Sequence, residues 1–393
     1  MAEPASPRAL LDAASGPIHA RARETLLAAL DAGWADPRRL YSEARTARRL
    51  LDQSREVLAA GLGVRPSEVG FAADGPTALR CAVDGLLHAG RRRGAGLVAS
   101  AVEHSAVLVP GRDRAARDPD SAPLVEVPVD AQGRLSLEAF GAAVRRPGIV
   151  AAAVQHANGE VGTLQPLGDA WAAARSASVP LVVDAQASLG RLAPPSTYDV
   201  LVGDARSWGG PGGVGLVVLP ERTRWALPGA TDPDEALTGP TRHTPWLPLA
   251  LAAAEAWQQT EAVREADAAE AFALVDHLRA AAARVPDVEV VGDPVHRLPH
   301  VLTFSALYAD GEALVRALDR LGIAVASGSA CTSSTLEPSH VLAAMGALTH
   351  GNLRVTLPLA AVAPDRAQSV ERLVQAIPTV VAEVRGELGA RHL

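Results

Sequence analysis

The feature that most restricts the fold is a series of short, unbroken apolar runs separated by stretches of helical periodicity. Gly96–Ser100, Gly148–Val154, Val179–Asp184, Tyr198–Val202 and Gly215–Leu219 lack apolar–polar alternation and are too short for typical helices. Such runs suit strands covered on both faces, as in a parallel sheet flanked by helices. Between them, Leu137–Arg145 and Leu167–Ala177 read as helices. Upstream, 18–62 carries leucines at helical spacing and is interrupted at Pro37. Val69–Ala73 reads as a strand. Asp74-Gly75-Pro76 then opens a helix through Thr77–His88, with the aspartate as N-cap and the proline in the first turn.

Downstream, 246–285 reads as one long alanine-rich helical region. Strands follow near Val288–Val291 and His300–Ser305, then a helix at Gly311–Leu321 and a C-terminal helix from about Asp365. This pattern predicts an α/β chain in two parts. Residues 15–250 form a large domain; 1–14 and 251–393 form a smaller one that carries Cys331. No internal repeat is evident.

Composition excludes several classes. The chain has 393 residues, and its Lys+Arg total of 37 consists entirely of arginine. With 44 acidic residues the net charge is −7. A mildly acidic surface without a basic stripe argues against nucleic acid. No apolar run reaches the length of a membrane span. The N-terminus lacks a charged start and apolar core of signal type, and two scattered cysteines fit a reduced, cytoplasmic setting. Replacing lysine by arginine preserves surface charge, but a guanidinium is not a usable nucleophile near neutral pH.

Trp208-Gly-Gly-Pro-Gly-Gly-Val-Gly215 lacks the lysine of a P-loop, and its glycines precede a strand instead of following one; it reads as a tight loop. His296 and His300 flank Pro299 without metal-ligand spacing, so no metal is expected. Cys81 lies in an apolar helix and reads as core. Cys331 differs. It sits in Ala326-Ser-Gly-Ser-Ala-Cys331-Thr-Ser-Ser-Thr, where small polar neighbours suit an accessible, nucleophilic thiol.

That stretch resembles the persulfide loop of cysteine desulfurases, members of the class V aminotransferase family. Gly351-Asn-Leu-Arg354 resembles the segment with that family's substrate-carboxylate arginine. Val102-Glu-His104 resembles the segment whose histidine stacks on the cofactor ring. Ala157-Asn158-Gly-Glu160-Val-Gly-Thr163 resembles the Asn-Asn-Glu motif. Val183-Asp184-Ala-Gln186 resembles the strand end whose aspartate meets the pyridine nitrogen. Thr244 matches a threonine lent across the dimer interface. The matches run in order from about residue 10 to 360. The resemblance implies a fold type I pyridoxal phosphate transferase: a large domain with a mostly parallel seven-stranded sheet, plus a smaller α/β C-terminal domain. It implies a homodimer, L-cysteine as substrate, and Cys331 and His104 as catalytic residues. Cofactor-binding positions would be Asp184, Gln186, Asn158, Arg206, Ser207 and Thr244, with Arg354 on the substrate.

The departures cluster. Aligned on Gly209-Gly210-Pro211, the family's Ser-x-His-Lys falls on Asp204-Ala205-Arg206-Ser207, so Ser207 stands at the Schiff-base lysine. Pro76 removes a hydroxyl and an N–H from the phosphate cradle, and Asp204 replaces a phosphate-binding serine. The glutamine beside the ring is Gln186, one residue early, with Ala187 at the matching place. Pyridoxal phosphate is thus expected to be non-covalent at most. Three readings follow: a desulfurase-type sulfurtransferase; a carrier taking persulfide sulfur from a donor protein; or a non-catalytic pseudoenzyme, possible as a heterodimer with a lysine-bearing homologue.

Overall fold

The computed structural model describes residues 8–13, 16–33, 35–120, 122–229, 241–327 and 338–387. Its centre is a seven-stranded sheet ordered β2-β8-β7-β6-β5-β3-β4. The strands are β2 (Val69–Ala72), β3 (Gly96–Ser100), β4 (Leu124–Val127), β5 (Ile149–Gln155), β6 (Leu181–Asp184), β7 (Val200–Asp204) and β8 (Gly215–Val218). All neighbours pair in parallel except β8, which is antiparallel to both β7 and β2. The unbroken apolar runs have their cause here: β2, β3, β5, β6, β7 and β8 are buried at every residue.

Helices α1 (Ala20–Asp31) and α2 (Ser42–Leu62) lie either side of Pro37; α3 (Gly75–Gly90), α4 (Ser105–Arg117), α5 (Leu137–Val144) and α6 (Leu167–Ser176) follow strands of the sheet. The helical region expected over 246–285 consists of two helices, α7 (Leu247–Glu261) and α8 (Arg264–Ala282). The break falls at Val263, whose φ of −123° and ψ of 2° leave helical geometry. α7 packs on α1 and α2, so Leu247, Ala250, Ala253 and Trp257 share a core with one face of the sheet.

A second apolar core gathers Ala9 and Leu11 with residues of α8, β10 (Val301–Ala306), α9 (Gly311–Arg320), β12 (Asn352–Thr356) and α11 (Arg366–Glu387). β9 (Val288–Val291), β10 and β12 form an antiparallel sheet ordered β12-β10-β9. The short β1 (Ala9–Leu10) pairs in parallel with β11 (Ile323–Ala324) and ties the start of the chain to this core. A short helix, α10 (His340–Met345), precedes β12. Among the described residues, no helix is long and apolar enough to cross a membrane.

The parallel strands β3, β5, β6 and β7 all end at one edge of the large sheet. Their carboxyl ends carry the turns with His104, Asn158, Asp184–Gln186 and Asp204–Ser207. In open α/β sheets this edge is where ligand crevices form.

Candidate active site

β3 leads through Val102 and Glu103 to His104, which caps α4: its Nδ1 accepts the Ala106 N–H at 3.0 Å. With Nδ1 accepting, the ring's donor is Nε2. β5 leads to Asn158, whose side chain ties its own loop to the end of β5 and to the turn after β3. Its amide donates to Val102 O and Gln155 Oε1, both at 3.1 Å, and its Oδ1 accepts the N–H groups of Glu160 and Val161, both at 2.9 Å.

His104, Asn158, Glu160 and Arg354 line one cavity of about 270 Å³ with Glu103, Arg112, Ser339 and His340. Glu103 is nearly inaccessible, and burial and then Asp184 push its carboxyl well above the usual range. Its Oε1 accepts the Gln155 N–H at 2.6 Å, while Oε2 is buried without a described partner. Burial likewise raises Glu160, to about 6, against a bond from Ser339 and the charge of Arg354. Glu103, Ser339 and His340 were not picked out from sequence; each borders the site through contacts between distant segments, as in the 2.9 Å approach of His340 Nε2 to Glu103 O.

Cys331 lies outside the described residues. On the N-terminal side of that segment Ala326 pairs antiparallel with Arg354, and on the C-terminal side Pro338 is in the cavity lining.

Asp184, Gln186, Arg206 and Ser207 form a second group. Asp184 is buried, which raises its carboxyl although His104 and the Gln186 donors favour the charged form. Its Oδ1 accepts the Gln186 N–H at 2.9 Å and its Oδ2 accepts Gln186 Nε2 at 3.1 Å. Asp204 is saturated: Gly75 N–H donates to Oδ2 at 2.8 Å, Arg206 N–H and Nε to Oδ1 at 3.0 and 2.9 Å, and Arg206 Nη2 to Oδ2 at 3.1 Å. The Ser207 hydroxyl points at main-chain carbonyls, 2.9 Å from both Leu189 O and Asp204 O. Thr244 is outside the cavity lining. Among the described residues no group of acidic, histidine or cysteine side chains could hold a metal ion.

Comparison with known proteins matches nearly the whole chain. The family model for aminotransferase class-V matches residues 9–365. An IscS-like cysteine desulfurase of Mycobacterium tuberculosis is 33% identical, covering 95% of this chain and 96% of that protein. A cysteine desulfurase of Cereibacter sphaeroides is 31% identical over 93% of both chains. Among solved structures, a NifS-like protein superposes with a TM-score of 0.83 at 20% identity, covering 95% of this chain and all of that one, a likeness of fold. DndA from Streptomyces lividans superposes with a TM-score of 0.72 at 26% identity, covering 87% of this chain and 97% of that one.

Proposed function

We propose, from the premise that this chain belongs to the class V aminotransferase family, that it is a cysteine desulfurase-like protein which transfers sulfur through a Cys331 persulfide and no longer runs pyridoxal phosphate chemistry by itself. The family implies that cofactor, and the residues present do not fit it. The sequence holds no lysine, and Ser207 stands at the Schiff-base position with its hydroxyl turned to carbonyl oxygens. Of the first three residues of α3, where the phosphate would be held, Gly75 N–H is bonded to Asp204, Pro76 has no N–H, and Thr77 N–H is bonded to Asp74 Oδ1 at 2.7 Å. That engagement of every early donor is the observation that carries the reading. A phosphate oxygen about 4 Å from Asp204 would add roughly 4 kcal/mol of repulsion per charge pair at an effective dielectric near 20.

The sulfur chemistry needs none of this. The Cys331 thiolate attacks the outer sulfur of a donor protein's persulfide. The new S–S bond forms on Cys331, the old one breaks, and the donor leaves as a thiol, with no net oxidation. Arg354 at the cavity suits an anionic sulfur species, and His104 can hold a proton at Nε2. Labelled persulfide from an active desulfurase is expected to load the wild-type chain, and Cys331→Ser to abolish uptake. Unchanged labelling of the variant, or alanine release from cysteine by the purified chain with added pyridoxal phosphate, overturns the reading.

The resemblance also leaves a second reading, through Thr244. The resemblance assigns this residue to a partner's site, and in the single chain it is outside the cavity. A pseudoenzyme paired with a lysine-bearing homologue would lend it there. Complex formation that survives Cys331→Ser favours that reading; strict self-association with sulfur uptake excludes it.

A further inference from the structure

We infer that Asp204, braced by Arg206, is a built-in substitute for a bound phosphate: its carboxylate occupies the N-terminus of α3, so that the fold is complete without a phosphorylated ligand and closed to one.

Three observations carry this independently of whether Cys331 carries sulfur. The first is donor accounting. A helix start presents unpaired N–H groups and a partial positive charge, which together attract anions. In α3 the Gly75 N–H goes to Asp204 Oδ2 at 2.8 Å, Thr77 N–H to Asp74 Oδ1 at 2.7 Å, and Ala78 N–H to Asp74 O at 2.9 Å. Proline occupies the remaining place. No early donor is left for an external oxygen.

The second is space. A Cβ added to Gly75 would lie 2.0 Å from Gln186 Oε1 and 2.8 Å from Asp204 Cβ. The face of the helix start is therefore covered by this chain's own side chains. Gln186 also reaches Asp184 through its Nε2 at 3.1 Å. One residue thus bridges the buried aspartate of β6 and the start of α3, the two places between which the family's cofactor would extend.

The third is charge. Asp204 is buried, and a buried carboxylate needs compensation. It has four N–H donors, two of them from the Arg206 guanidinium. Hydrogen bonding with Asp204 raises the basicity of that guanidinium, and Asp74 adds to it. The cluster is satisfied within itself, as a ligand-dependent anion seat is not.

An anion-rescue experiment tests this. Melting temperature is measured for wild type and Asp204→Ser in inorganic phosphate, sulfate, chloride at matched ionic strength, and pyridoxal 5′-phosphate. The wild type is expected to show only the general, non-saturating rise that phosphate and sulfate give any folded protein, and none with pyridoxal 5′-phosphate. Asp204→Ser is expected to melt lower in chloride and to regain several degrees more than the wild type gains in phosphate or sulfate, saturably, as linkage requires for a ligand that binds only the folded state. A wild type stabilised saturably by phosphate overturns the inference, as does a folded Asp204→Ser variant that gains no more from phosphate than the wild type does. If that variant folds in neither salt, ultrafiltration with the wild type decides: saturable retention of inorganic phosphate or pyridoxal 5′-phosphate overturns the inference, and no retention upholds it. Because these readouts ignore sulfur, their failure is distinct from a failure of the Cys331 labelling experiment.

Discussion

At the residue scale, the site shows how burial assigns protonation. Glu160 is held among Ser339, Arg354 and the cavity wall, with Oε1 buried and without a described partner. Its carboxyl titrates near 6 against an ordinary 4.5. The folded state therefore binds this proton more tightly than the unfolded chain does. The stabilising contribution is complete below about pH 4.5 and is lost as pH rises through about 6, a difference of about 2 kcal/mol. Glu160→Gln should consequently be more stable than wild type at pH 8 by that order and equal to it at pH 4. Urea unfolding at the two pH values checks this; a variant less stable at pH 8 would mean that pairing with Arg354 outweighs burial. Glu160 stood in a motif noticed from sequence, but its elevated basicity arises from packing that no local pattern encodes.

At the element scale, the position of α7 is set by two tryptophans. Trp257 on α7 and Trp208 after β7 meet edge to face, with ring centroids 5.1 Å apart at 88°, a favoured aromatic geometry. Trp208 is fixed by its Nε1 donating to Ala253 O at 3.0 Å. Gly61 of α2 lies against the Trp257 indole, where a Cβ would come 2.0 Å from Nε1. With Trp208 behind it, the indole has little room to retreat. Gly61→Ala should therefore cost roughly 1–3 kcal/mol despite its gain in helix propensity. Gly168→Ala on α6, with nothing within 4 Å, should be neutral or gain up to about 1 kcal/mol. Thermal unfolding of both variants separates packing from propensity; equal effects would remove the steric argument.

At the scale of the whole molecule, α8 and α11 are joined by a buried ion network. Arg366 Nη1 donates to Asp267 Oδ1 and to Pro358 O, each at 2.9 Å, and Nη2 donates to Glu270 Oε2 at 2.9 Å. Asp267 Oδ1 also accepts the Ala360 N–H at 2.8 Å. Removing one partner of such a pair leaves a desolvated charge, so Asp267→Ala should cost about 3 kcal/mol or more. Asp319→Ala, which breaks a pair with Arg8 between side chains 54% and 63% exposed, should cost under about 1 kcal/mol. Chemical denaturation of the two variants tests the contrast; similar losses would mean that the buried network is dispensable.

The strands buried on both faces were legible in the residues alone, because unbroken apolar runs such as Ile149–Val154 are written locally. So were the start of α3, where Asp74 caps as its position predicts, and the lack of a lysine amine. Local reading did not reveal β4, half-exposed over most of its length, or α4, with Pro110 inside it. It also did not locate the break at Val263, set by backbone angles instead of by a breaker residue. What the site residues bond to emerged only from the folded arrangement. Asn158 turned inward to satisfy its own loop, Gln186 came to lie across Gly75, and Asp204 reached an N–H 129 positions away along the chain. The physical reason is that periodicity reports which side of an element is apolar, whereas satisfaction of a buried donor or charge depends on groups that only folding brings within hydrogen-bond distance.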